Sequence, residues 1–184
     1  MNLGKDTFFI KTTDFRLVYL KLHKLLTMQK ILKIILVVAV CVTVGYLSGM
    51  ITRESITTWY PTLIKPSFNP PNWIFGPVWT LLYVMMGIAA GLVWTNGSDE
   101  QATKKALGFF AIQFGLNVFW SYLFFGLHNP FVALIEIILL WLMILETYNL
   151  FKKIDKTAGL LLLPYLAWVS FAILLNASIW WLNK

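Results

Sequence analysis

Charged side chains are scarce in this chain. Asp, Glu, Lys and Arg make up 12% of its 184 residues, against about 25% in a soluble domain. With 59% of the residues hydrophobic and gathered in long runs, that shortage excludes a conventional water-soluble globule. Cysteine is nearly absent too. Cys41 stands alone, which excludes an intramolecular disulfide and a zinc cluster. The two histidines, His23 and His128, fall outside the apolar runs, which disfavours a haem held by an axial imidazole from within them. His128 reads as a solvated loop residue. There is no phosphate-cradling glycine loop and no defensible Ser/His/Asp set. The expectation is therefore no metal, no resident cofactor and no standard catalytic constellation.

What is present is apolar length. Ile74 to Thr95, Ala106 to Leu127 and Thr157 to Asn183 carry no charge. Phe131 to Phe151 carries Glu136 and Glu146, and Ile31 to Ile51 carries only Lys33, near its start. About 20 such residues cross a bilayer. The expected fold is all-α, an integral membrane bundle of five transmembrane helices.

The cations give an orientation. Lys and Arg number 15, and alternate connections collect twelve on one side and three on the other. The positive-inside rule then places the N-terminus inside and the C-terminus outside. The net charge of +7 is thus topological and makes no case for nucleic acid. The chain divides into a basic extension, residues 1–29, and a membrane domain, residues 30–184. In the extension, Phe15 to Leu26 reads as a basic amphipathic helix on the inner leaflet. The alternative is that Met28 is the true start.

Proline is concentrated rather than spread. Five of the seven lie between Trp59 and Tyr83: Pro61, Pro66, Pro70, Pro71 and Pro77. Proline fixes φ and removes a donor, so the first half of this stretch is an ordered loop. Trp59, Tyr60, Phe68 and Trp73 are expected to cover a surface. Pro77 is expected in the first turn of the helix that follows. Such a loop is well placed to lid a pocket between helices.

Polar residues inside the runs are few and aligned. Trp79 and Tyr83 are four apart, hence on one helical face. Gln113, Asn117 and Ser121 form a second stripe beside Trp120, and Tyr165, Trp168, Ala172 and Asn176 form a third. Asn117 alone reads as an interhelical hydrogen bond. Three aromatic–polar stripes beneath an aromatic loop suit a flat, largely apolar ligand. Trp94, Trp180 and Trp181 read as interfacial, and Trp141 as core or lipid-facing. Glu136 has no basic partner at its depth and is expected to be protonated, hydrogen-bonded or facing a wet cavity. The pairs Gly45/Gly49 and Gly87/Gly91 allow close helix approach, either inside the bundle or across a homodimer.

These residues resemble the TspO/translocator protein family, the tryptophan-rich sensory proteins or peripheral-type benzodiazepine receptors, over residues 30–184. The carrying motifs are Trp59-Tyr60, Lys65-Pro66 and Pro70-Pro71, then Phe75-Gly76-Pro77-Val78-Trp79 with Tyr83. Gln113, Leu116-Asn117, Trp120-Ser121 and Phe124-Phe125 follow, then Pro164-Tyr165, Trp168, Phe171-Ala172 and Leu175-Asn176. The resemblance implies a five-helix bundle, usually dimeric, in the bacterial cytoplasmic membrane. It implies a pocket that binds porphyrins such as protoporphyrin IX. Tyr60, Pro70, Trp79 and Asn117 match its pocket positions, as do Trp120, Trp168 and Ala172, with Tyr83 beside Trp79. The expected partners are thus a porphyrin or similar flat ligand, the lipid bilayer and a second copy of the chain. Animal-type sterol binding is not expected, because the end of the last run has no Tyr before its basic residue. Leu145, Tyr148 and Lys152 meet only a loose sterol pattern. The leading reading is tetrapyrrole transport, sensing or regulation. The alternatives are a light- and oxygen-dependent porphyrin-degrading enzyme with Trp79 and Trp168 as its catalytic residues, and a structural modulator of another membrane complex.

Overall fold

A computed structural model describes residues 12–184. The first part of the basic extension, and any expectation about it, lies outside the described residues. Helix α1 runs from Thr12 to Thr57 without a break, straight across the boundary expected after residue 29. It contains no proline. At about 1.5 Å per residue its 46 residues reach about 69 Å, over twice a hydrocarbon core. It ends where the Thr57 and Thr58 hydroxyls turn back to donate to the Glu54 carbonyl, at 2.9 and 2.8 Å.

A short 3₁₀ turn, Tyr60–Thr62, opens the proline loop, and α2 spans Asn72–Asn96. Pro71, with φ of −57°, starts α2 earlier than expected, and the Ile74 N–H closes on the Pro71 carbonyl at 3.0 Å. Pro77 therefore sits inside α2 and not in its first turn, and it leaves the Trp73 carbonyl without its usual donor. Helix α3, Glu100–Ser121, is capped by Asp99, whose side chain accepts from the Gln101 and Ala102 N–H groups. It runs into a π-helical turn, Tyr122–Gly126. Helix α4 spans Pro130–Ile154 behind an Asn129 cap. The last apolar run is split into α5, Lys156–Leu161, and α6, Leu163–Leu182. Pro164 explains the break: it has no N–H to offer the Leu160 carbonyl.

Five of these segments are long and apolar enough to cross a membrane, with α5 and α6 together making the fifth. The fold is all-α among the described residues, as expected. Helix α1 packs mainly on α2, α3 on α4, and α4 on α6. Met86, Ile137, Leu140, Ile144, Phe151 and Tyr165 are fully buried between them. The outside is as apolar as the inside: Leu32, Ile35, Leu36, Val40 and Leu47 are all exposed along α1. Only lipid tolerates such a surface.

The two ends differ in chemistry. At the end rich in lysine, Asn96 donates to Asp155 at 2.7 Å and accepts from Lys30 at 3.4 Å, and Lys33 lies 5.2 Å from the Trp94 ring centre. The Asp155 carboxyl also caps α5 by accepting from Ala158 N–H at 2.9 Å. Slight burial pushes its pKa up, but the N–H groups of Ala158 and Thr157 and the Asn96 amide outweigh this and hold it below the usual carboxylate value. The opposite end carries the proline loop and is called the loop end below.

A candidate ligand cavity at the loop end

The loop is tied down from several directions. The Tyr60 hydroxyl donates to Asn69 Oδ1 at 2.7 Å, and Asn69 Nδ2 donates to the Pro70 carbonyl at 3.0 Å. Burial, against a smaller opposing effect of the Asn69 bond, pushes Tyr60 up to about 12, so it stays a neutral donor. Asn183, at the end of α6, holds both the N–H and the carbonyl of Ile64, at 2.9 Å each. Not every loop aromatic is covered. Tyr60 is buried, but Phe68 is 50% and Trp73 74% exposed, contrary to expectation. Phe68 meets Phe171 edge-on with ring centres 6.2 Å apart, and Trp73 is carried outward by the early start of α2.

Beneath the loop lies a cavity of about 800 Å³, within the size range of small-molecule sites. Its walls are aromatic. Trp79 packs on Tyr83 with ring centres 5.7 Å apart, Trp168 on Phe171 at 5.6 Å, and Trp120 stacks on Phe124 at 5.3 Å. Polar atoms are few and placed. The Trp120 indole donates to Asn176 Oδ1 at 3.1 Å, and the Asn176 amide donates to the Pro130 carbonyl at 2.7 Å. Of the residues singled out from sequence, Tyr60, Trp79, Tyr83, Trp120, Trp168 and Ala172 line this one cavity.

Two others do not line it. Pro70 belongs to the loop scaffold. Asn117 lies below the floor, fully committed: it accepts from the Tyr83 hydroxyl at 2.6 Å and donates to the Tyr165 hydroxyl at 3.0 Å. That joins α2, α3 and α6 through one amide, the interhelical role its position alone suggests. Gln113 and Glu136 are buried at 0% and 7% exposure, and their side-chain polar atoms have no partner among the described residues. Neither lines the cavity. His128 is exposed but not free. Its ring stacks on Trp59 at 4.3 Å, and Nε2 lies 3.1 Å from Ser55 Oγ, which donates to the Phe125 carbonyl at 2.6 Å. Its φ of 52° is in the left-handed region, where the chain turns toward α4.

Sequence reasoning missed the whole α1 wall. Gly45, Ser48, Gly49, Thr52 and Arg53 line the cavity. The spacing of two glycines and two hydroxyls along one face was the available signal. Lys65, by contrast, points back into the loop, bonding the Leu63 carbonyl at 3.1 Å with Nζ 4.8 Å from the Tyr60 ring centre. Three of the four paired glycines serve the bundle itself: a Cβ on Gly87 or Gly91 would strike the α1 backbone at Val38 or Ile34, and one on Gly45 would strike Tyr83.

The chain is similar to known proteins over most of its length. A Tryptophan-rich protein TspO from Chlorobaculum tepidum is 43% identical over 155 residues, covering 84% of this chain and 98% of that one. Another from Archaeoglobus fulgidus is 44% identical, with 84% and 99% covered. A Translocator protein from Bos taurus is 36% identical over 141 residues, with 76% and 83% covered. The family model of the TspO/MBR family matches residues 37–182, which takes in all five membrane-spanning segments in part or whole and every residue of the cavity, and the chain belongs to that family.

Proposed function

We propose that this integral membrane protein binds a porphyrin in the loop-end cavity and acts in tetrapyrrole transport, sensing or regulation. The observation that carries the reading is the pair of indoles, Trp79 on α2 and Trp168 on α6, on the wall of a cavity of about 800 Å³. Rigid aromatic faces suit a flat macrocycle, and the few fixed polar groups suit its orientation. The proposed setting is the cytoplasmic membrane with the loop end outside, which a reporter fused after Lys184 tests through activity on the outer side.

Protoporphyrin IX quenching of tryptophan fluorescence tests the binding. Trp168→Ala is expected to weaken it by about 2 kcal/mol or more, the scale of a buried aromatic anchor. Trp79→Phe keeps an aromatic face and is expected to stay within about tenfold, or 1.4 kcal/mol. Unchanged binding in Trp168→Ala would remove the pocket assignment. Illumination with and without oxygen separates binding from degradation. Porphyrin loss that disappears in a Trp79→Phe, Trp168→Phe double variant still able to bind would make the protein an enzyme.

A further inference from the structure

The cavity is open on one flank, and the opening is built from glycine. Toward the lysine-rich end, α2 is seated so closely on α1 that a Cβ on Gly87 would come to 2.5 Å from Val38 Cα, and one on Gly91 to 2.8 Å from Ile34 Cα. Toward the loop end, a Cβ on Gly49 of α1 or Gly76 of α2 would meet no atom within 4 Å. Both of these glycines line the cavity, and beside them Tyr46 is 69% and Met50 57% exposed. The seam between the two helices is thus shut on one side of Tyr83 and open on the other. Both of its edges belong to membrane spans, so the opening faces lipid and not water.

Arg53 stands at the loop end of this seam, two residues past the end of the apolar run, and lines the cavity together with Asn72. It is the single charged side chain on the cavity wall among the described residues. It forms no ion pair there; the one ion pair among the described residues joins Lys104 to Glu100. Arg53 is exposed and lies just beyond the apolar span, where a carboxylate also prefers to stay because hydrocarbon is costly for it. A planar fork of donors matches a carboxylate in two parallel bonds.

We propose that the α1/α2 seam is a lateral portal for acidic amphiphiles. The flat apolar body passes from the loop-side leaflet between Gly49 and Gly76, while its carboxylate rides on Arg53. This rests on the reading that the cavity binds a porphyrin-type ligand, and it adds a route and a charge preference.

Protein in phosphatidylcholine nanodiscs is titrated with protoporphyrin IX and, separately, with its uncharged dimethyl ester. Arg53→Gln is expected to weaken the diacid about tenfold, the scale of one charge-assisted contact, and to leave the ester unchanged. Arg53→Lys should restore part of the loss. Equal effects on both ligands, or none on either, overturn the charge preference. Gly49→Leu fills the portal from α1 and is expected to slow both association and dissociation several-fold. Gly76→Leu does the same from α2 and serves if the first variant does not fold. Unchanged rates overturn the route. If neither ligand binds the unaltered protein, the porphyrin reading itself fails, which is a separate result from either of these.

Discussion

The two halves of the α1–α2 pair show opposite uses of the same residue. Near the lysine-rich end, Gly87 and Gly91 bring two backbones into contact, and no space remains beside them. Near the loop end, Gly49 and Gly76 leave space that nothing in the chain fills. Glycine is a packing device in one place and a missing wall in the other. The local sequence does not say which. What decides is the neighbour: Val38 and Ile34 reach across to the first pair, whereas the side chains around the second turn toward an aromatic cavity.

The sharpest way to break this contrast is to put the same side chain in both places. Gly87→Leu forces a branched side chain into the Val38 backbone and is expected to cost about 3 kcal/mol or more, beyond ordinary overpacking. Gly49→Leu is expected to stay within about 0.5 kcal/mol, as for substitutions away from packed features. Thermal unfolding in detergent micelles reads both, and equal losses would erase the distinction between the halves.

The boundary between the halves gives the next effect. Asn117→Leu strands the buried hydroxyls of Tyr83 and Tyr165 at once. The expected loss is about 2 kcal/mol, between the cost of orphaned polar groups in water-soluble cores and the smaller values found in membranes. Adding Tyr83→Phe should cost less than its single value, since its partner is already gone. Full additivity in that cycle would mean that the amide does not join the helices.

Within the open half, Ser55→Ala removes the bond from α1 to the Phe125 carbonyl and the contact with His128. About 1 kcal/mol is expected, along with faster amide exchange around Asn129. No change in exchange there would show that the π-helical turn holds its place without α1.

The smallest effect belongs to the closed end. The Asp155 carboxyl is held below its usual value in the folded chain. Its contribution is therefore complete above the unfolded pKa of about 3.9 and fades as pH falls through the lowered folded value. Melting temperature should drop below about pH 4, with a shallower fall in Asp155→Asn. Identical pH curves for the two chains would count against the Asp155 cap as a pH-dependent contact.

Much of this was legible in the residues. Five spans follow from runs with no charge or very few, and six of the eight residues singled out meet at one cavity. Other features were hidden for physical reasons. Arg53 entered only the count of cations that sets the orientation, because nothing in its local sequence marks the gap beside it. Pro77 seemed a helix start, because a proline inside a membrane helix is tolerated when the structure around it compensates. Asn117 was grouped with the cavity since its face is right; its depth, and the two tyrosines that take up its amide, are tertiary facts.

The π-helical turn carries a consequence for insertions and deletions. Its defining bond runs from the Leu127 N–H to the Tyr122 carbonyl at 2.8 Å, five residues back. One residue more than a regular turn is stored there. Phe124 and Phe125 both line the cavity from this turn. A chain one residue shorter here would keep its five spans and its hydropathy. It would also rewind the end of α3 into a regular helix, swing one phenylalanine off the cavity wall and pull the Phe125 carbonyl away from Ser55. Length, more than residue identity, is what this turn cannot surrender.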